Sequence, residues 1–294
     1  MLKHLIAAAK AYIPRPIKDA VLTVRSIPRH LTARHRMLPR FIVFGSIRSG
    51  TSSIYHNITE HPQVLPALRK QVRFFDLNYF RGVDWYRAHF PTVYRDALAR
   101  RRGVGRSVTG EASPEYIYHP LVPERIRETL PDVRLIAFLR DPVERAFSHY
   151  HHTRRTSEEP LSFEEAIDRE EERITGEQDR MASEDGYHAT AYQDHAYLAQ
   201  GRYAEHLERW LECFPAEQMR IIRSEDFFAA PNETLLELSE FIGVGRWRPP
   251  NYEVFNRGQK SNMPDEIRER LTAYFAPHNR RLGRLLGRDF GWDN

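Results

Sequence analysis

Residues 41–54 read Phe-Ile-Val-Phe-Gly-Ser-Ile-Arg-Ser-Gly-Thr-Ser-Ser-Ile. Four apolar residues in a row, Phe41 to Phe44, describe a strand buried on both faces, since a half-exposed strand would alternate with polar residues. Gly45 and Gly50 bracket a short polar turn, and Thr51, Ser52 and Ser53 start a helix that runs through Tyr55 to His61. At a junction of strand, glycine loop and helix, backbone N–H groups point into one concavity and the helix dipole adds positive potential there. Such a concavity takes phosphate or sulfate. A plain strand–turn–helix with incidental glycines is the alternative reading of this stretch taken by itself.

The spacing resembles a nucleotide-binding P-loop, with one departure. An ATPase loop needs lysine directly after its second glycine. Here Thr51 follows Gly50, and the one cation, Arg48, lies inside the loop. A second unit of the same kind follows. Residues 133–140, Val-Arg-Leu-Ile-Ala-Phe-Leu-Arg, predict a second buried strand, and Asp141-Pro142 predicts an N-cap with proline at the first helical position. The helix then extends from Val143 to about His152. Two β-turn-α units imply parallel strands in one sheet. The second strand ends in Arg140 rather than in the aspartate that holds Mg²⁺ in P-loop NTPases. Ser148 stands eight residues on, about two helical turns later. A guanidinium fork and a hydroxyl so placed clamp a phosphate that carries no metal.

These residues carry a family resemblance. The Arg48–Thr51 loop resembles the 5′-phosphosulfate loop of sulfotransferases that use 3′-phosphoadenosine-5′-phosphosulfate (PAPS), whose usual pattern is Lys-x-Gly-Thr. Arg140 to Tyr150 resembles their 3′-phosphate motif. The likeness is nearest to the carbohydrate branch, with the heparan sulfate enzymes and bacterial relatives. Phe74-Phe75-Asp76, Trp85-Tyr86-Arg87, Glu111-Ala112-Ser113-Pro114-x-Tyr116 and Ser224-Glu225-Asp226-Phe227 support it over residues 40 to 292. The resemblance implies a P-loop-like, three-layer α/β fold with a central, mainly parallel sheet. It also implies sulfuryl transfer from PAPS to a hydroxyl or amine, with PAP as product and no metal. By the same mapping, Ser46, Ile47, Arg48, Ser49, Gly50, Thr51 and Ser52 bind the donor's 5′ end, and Arg140 with Ser148 binds the 3′-phosphate. Lys260, in Arg257–Asn262, stands where the family has a basic loop that closes over the donor.

Two departures from the family bear on the chemistry. The loop lysine is Arg48 here, which stays charged and is a poor acid. The family often has Lys-Glu before its Phe-Phe pair, the glutamate taking the acceptor's proton; this chain reads Lys70-Gln71, and an amide cannot take a proton in that role. Glu111, at the end of a strand predicted for 107–111, is the first substitute, with a structural ion pair as its other reading. His149 and His151 come next. Beside the leading reading stand two others, a P-loop nucleotide kinase or NTPase and a non-catalytic binder of sulfated or phosphorylated ligands.

The remaining composition sets limits. A chain of 294 residues with 41% hydrophobic and 29% charged residues fits one α/β domain of soluble character, or at most two. The net charge of +4 suits an anionic substrate without calling for nucleic acid. One cysteine, Cys213, allows no internal disulfide and favours a reducing compartment, so a cytoplasmic site is expected. No apolar run approaches the ~20 residues of a membrane span. Residues 1–39 read as a basic extension before a domain at 40–294, with Asp19 their one acid among many Lys and Arg. That extension suits either contact with a membrane surface or a solvated arm. The charge-dense stretch 157–185 is expected to be an exposed helix followed by a loop, serving as a substrate lid or as a plain excursion. Trp85 and Tyr86 suit a sugar-lining or a core position. The acceptor is expected to be a carbohydrate or another small or lipid molecule.

Overall fold

The computed structural model describes residues 28–156, 159–252 and 262–293. Strands β1 (Phe41–Gly45), β2 (Gly110–Ala112), β3 (Arg134–Leu139) and β4 (Met219–Arg223) form one parallel sheet in the order β2-β1-β3-β4. The continuous apolar runs are explained by this placement. β1 and β3 are the two inner strands, covered on both faces, and Phe41 to Phe44 and Leu135 to Leu139 are fully buried.

Side chains alternate across a strand, so the two faces feed two separate cores. Ile42, Phe44, Leu135, Ala137 and Leu139 pack on one side, where Phe44 lies against Trp210 at 4.0 Å between ring centroids. Phe41, Val43, Ile136 and Phe138 pack on the other, against Ile54, Ile58, Leu235 and Leu238. The result is the expected three-layer α/β sandwich with a parallel sheet.

Helices fill both layers. In chain order they are α1 (Thr51–Thr59), α2 (Phe74–Leu77), α3 (Gly82–Arg87), α4 (Val93–Arg101), α5 (Val122–Thr129) and α6 (Pro142–Thr156). Then follow α7 (Phe163–Asp168), α8 (Glu170–Ile174), α9 (Glu177–Ser183), α10 (Thr190–His195), α11 (Tyr203–Cys213), α12 (Ser224–Ala229), α13 (Pro231–Phe241) and α14 (Asp265–Leu286). Asp141 caps α6 as the sequence predicts, its Oδ1 accepting from the Val143 amide at 2.9 Å. The strand expected at 107–111 is shorter and later, with Val108 making only an isolated bridge to Val64.

The charge-dense stretch departs from expectation. Its described residues, 159–185, form not an exposed helix and a loop but three short helices, α7 to α9, and Glu159 and Glu170 among them are buried. Their carboxylates are satisfied internally: Glu170 accepts from the Leu198 and Ala199 amides at 2.6 and 2.7 Å, and Glu159 accepts from Tyr197 and Arg173. Buried carboxylates need such partners, and the partners lie some 14 to 38 residues away in sequence. Residues 29–37 also dock on the domain. Arg29 donates to the carbonyls of Ala88 and Phe90, Arg36 to that of Phe90, and the Met37 amide to that of Pro91.

Candidate active site

The loop after β1 and Arg140 after β3 emerge at the carboxyl ends of neighbouring parallel strands, where open α/β sheets hold ligands. Gly50 opens α1 with φ +92°, a left-handed turn that favours glycine. An added Cβ there would also stand 2.9 Å from the Phe228 ring. Ser46 and Ser49 are fully buried and share a hydroxyl contact of 2.5 Å. Ser224 Oγ donates to the Ser49 carbonyl at 2.7 Å, and the Ser46 amide to the Phe138 carbonyl at 2.6 Å. These two serines, expected to touch ligand, brace the loop from beneath. The Ile47 amide is likewise spent on the Tyr118 hydroxyl at 3.2 Å. The loop is thus pinned to β3, α12 and the turn at Pro114–Tyr118 before any ligand arrives.

Above it the cations converge. Arg48 Nε donates to Ser148 Oγ at 3.2 Å, and Arg140 Nη1 donates to the Arg48 carbonyl at 3.4 Å. Three residues read from two separate motifs therefore meet. Burial, with the nearby Arg155 and Arg140 charges, pushes the Arg48 guanidinium down to about 10, so it remains a cation at neutral pH. Lys70 Nζ reaches Ser52 Oγ at 2.7 Å, and burial lowers it to about 8 against the opposing pull of Glu115. Gathered like charges of this kind favour an anion between them. Arg48 itself is held at φ +66°, and Arg73 at +56°; among the described residues they are the two non-glycine positions with positive φ. Backbone strain of this sort gathers at functional sites.

On the other side of Ile47 lies a cleft bordered by Arg73, Glu115, Tyr118, His188 and Gln193. Glu115 accepts from Gln71 Nε2 at 3.2 Å and faces Arg73 Nη1 at 3.5 Å. Arg73 is also paired with Asp76, a bond that holds its guanidinium above the ordinary arginine range despite its burial.

Glu111 is placed differently from its expected role at the reacting group. It has no exposed surface, and its carboxylate accepts from Tyr86 at 2.5 Å, Ser113 at 2.8 Å and Tyr116 at 3.4 Å. Burial raises it to about 7, with the Tyr86 and Ser113 hydrogen bonds opposing. Tyr86 is accordingly core rather than cleft lining. His149 is buried too, its ring between Arg145 and the Gln193 carbonyl, and burial with the Arg145 charge holds it well below the usual histidine range. Lys260 and residues 1–27 lie outside the described residues.

The sequence reading missed Glu115, Arg155 and a role for Lys70. One signal pointed to Glu115: a charged residue inside an otherwise apolar, aromatic turn, Pro-Glu-Tyr-Ile-Tyr. Nothing local marked Lys70 as a partner of Ser52, because the two are joined only by the fold.

A glycine loop and an arginine brought together on adjacent parallel strands, with no lysine after the second glycine, define a P-loop-like α/β protein built to hold an anion. Residues 38–274 match the sulfotransferase domain family. The chain is 30% identical to the membrane-associated sulfotransferase kil1 of Dictyostelium discoideum, across 87% of this chain and 67% of that protein. It is 27% identical to heparan sulfate glucosamine 3-O-sulfotransferase 6 of Mus musculus, across 98% of this chain and 84% of that one. The crystal structure of a sulfotransferase from Alicyclobacillus acidocaldarius superposes with a TM-score of 0.67 at 31% identity, covering 88% of this chain and 100% of that one. The chain belongs to the sulfotransferase domain family and is a sulfuryl-transferring enzyme. The resemblance read from the sequence, to the carbohydrate-type enzymes, is borne out. No helix among the described residues is long and apolar enough to cross a membrane.

Proposed function

We propose that this enzyme takes PAPS as donor and moves its sulfuryl group to a hydroxyl of a carbohydrate or another small or lipid acceptor, releasing PAP. The loop Ser46–Ser52 receives the 5′-phosphosulfate, with Arg48 the group nearest the bridging oxygen and the opening turn of α1 supplying its dipole. Arg140 and Ser148 receive the 3′-phosphate. The observation that carries this reading is the junction of Arg48, Ser148 and Arg140, which puts a cationic fork and a hydroxyl beside the loop in one cradle. The glycan class of acceptor is supported by the heparan sulfate enzyme among the relatives.

The acceptor hydroxyl attacks sulfur in line. Its oxygen–sulfur bond forms as the bond from sulfur to the phosphate oxygen breaks, and the departing electron pair settles on the 5′-phosphate of PAP. Arg48 stabilises that developing charge without giving up a proton. In the same reading, residues 40–294 form the catalytic domain and 1–39 a basic extension able to meet an anionic membrane surface. Arg29 and Arg36, turned toward backbone carbonyls of the domain, contribute least to that contact. The lone Cys213 supports a cytoplasmic setting. Lys260 is assigned to donor closure.

Saturating PAP, with no Mg²⁺ added, is expected to raise the melting temperature by several degrees, since a ligand at about 100 times its Kd adds ~2.7 kcal/mol. In Arg140→Ala the unliganded melting temperature is expected to stay near wild type, while PAP affinity falls at least about tenfold. The side chain is part-exposed, and among the described residues it pairs with Glu144 at 3.4 Å and the Arg48 carbonyl, so its loss leaves neither of these a buried, unpaired charge. Isothermal titration with PAP decides it. Unchanged affinity removes the 3′-phosphate assignment.

A further inference from the structure

We propose that Glu115 is the general base that takes the acceptor's proton, and that Gln71 and Arg73 hold its carboxylate toward the cleft. The inference rests on the donor reading above, which puts the sulfuryl group at the loop beside Ile47. Sulfuryl transfer to a hydroxyl releases one proton: the acceptor's O–H becomes O–S while the S–O bond to phosphate breaks. A carboxylate on the acceptor side of sulfur must receive that proton and pass it to water.

Among the described residues, the carboxylates of Glu111, Asp76 and Glu115 compete for this role. Glu111 is fully buried, does not border the cleft, and has both oxygens engaged by hydroxyl donors. Asp76 is bound by Arg73 and by the Leu77 amide at 2.8 Å. Glu115 is different. It borders the same cleft as Ile47 of the donor loop, and its side chain keeps 13% of its surface exposed. Its contacts are also looser, 3.2 Å to Gln71 and 3.5 Å to Arg73, which leaves lone pairs for an incoming hydroxyl. Gln71 thereby has a defined part. Its amide cannot accept the proton, but its Nε2 donates to the group that can.

The charged and titratable neighbours of Glu115 come from every side. Lys70 and Arg73 approach from the segment before α2, Asp76 from α2 itself, His119 from the end of its own turn, and His188 from across the cleft. Burial and three nearby arginines hold His119 down to about 3, so it is neutral through the working range. His188 is exposed and lines the same cleft, so it is replaced in a control variant.

The test follows PAP release from PAPS, with heparan sulfate, a simple glycoside and a phenol offered in turn as acceptor. PAP binding is measured on every variant. Glu115→Gln is expected to lower kcat by roughly 10²-fold or more, with PAP affinity unchanged and the acid limb of kcat/KM abolished. In Gln71→Glu/Glu115→Gln the carboxylate sits at the other end of the same hydrogen bond. That double variant is expected to recover at least roughly tenfold of the loss and to regain the acid limb, which a merely structural pairing does not predict. His188→Asn is expected to keep the limb. A limb that survives in Glu115→Gln, or that disappears in His188→Asn or Glu111→Gln instead, overturns the assignment. So does a wild-type chain that binds PAP yet forms none from PAPS with any acceptor, an outcome that leaves the donor reading standing. Absence of PAP binding overturns the donor reading itself.

Discussion

Arg48→Gly is expected to cost turnover about 10²–10³-fold while leaving the fold as stable as wild type or more so. The two halves of that outcome have separate causes. The guanidinium sits in the cradle, 3.2 Å from Ser148 Oγ and joined through its own carbonyl to Arg140, where a leaving phosphate would develop charge. A donor removed from such a position typically weakens the transition state by ~3–4 kcal/mol. The backbone, in contrast, carries φ +66° at a residue with a Cβ, which costs on the order of 1 kcal/mol that glycine does not incur. Removing the side chain also relieves repulsion among Arg48, Arg140 and Arg155. Denaturant unfolding beside steady-state kinetics separates the two effects. Arg48→Gly that unfolds more easily by over ~1 kcal/mol would show that the residue holds the loop rather than the donor. Arg48→Lys is expected to recover only part of the rate, because a single ammonium cannot contact Ser148 and a phosphate oxygen in the same fork geometry.

The second large effect concerns Glu111 and is read from stability against pH. Its carboxyl is raised from 4.5 to about 7 by burial. The folded state therefore holds a proton that the unfolded chain releases between these values. Stability from this group is complete below pH 4.5, declines as pH rises, and levels off above pH 7. At 1.36 kcal/mol for each unit, the decline is about 3 kcal/mol. Glu111→Gln has no such proton, so the difference between variant and wild-type unfolding free energies is expected to shift in the variant's favour by about 3 kcal/mol from pH 4.5 to pH 8. The difference profile cancels contributions common to both chains, among them Asp141, which burial raises to about 6. A difference that stays flat across the range would mean that the hydroxyls of Tyr86, Ser113 and Tyr116 offset burial and keep Glu111 ionised in the fold.

Much of the architecture was legible because it is local. Phe41–Phe44 and Leu135–Leu139 are inner strands covered on both faces, and such strands announce themselves as unbroken apolar runs. Asp141-Pro142 marks a helix start, where the Asp141 carboxylate caps α6. The cradle was legible for a related reason: glycine loop, Arg140 and Ser148 each sit at a fixed offset from a strand end. What failed to show were properties decided by partners far off in the chain. Glu170 reads as a surface charge until Leu198 and Ala199 present their amides to it. Glu111 reads as a group at a strand end, open to ligand, until the aromatic layer of Tyr86 and Tyr116 closes over it. Glu115 acquires a chemical role only when Gln71 and Arg73 arrive from forty residues earlier.

The crowd of cations around the loop has a consequence for traffic through the enzyme. On the donor assignment proposed here, Arg48, Arg140, Ser148 and the head of α1 all address the phosphates, and every one of those phosphates is still present in PAP. The groups that capture the donor cannot tell it from the spent carrier, which differs only by the sulfuryl group already gone. Selection between the two must come from concentration. On that assignment PAP competes with PAPS for the same groups, and in a closed vessel turnover is expected to slow as PAP accumulates.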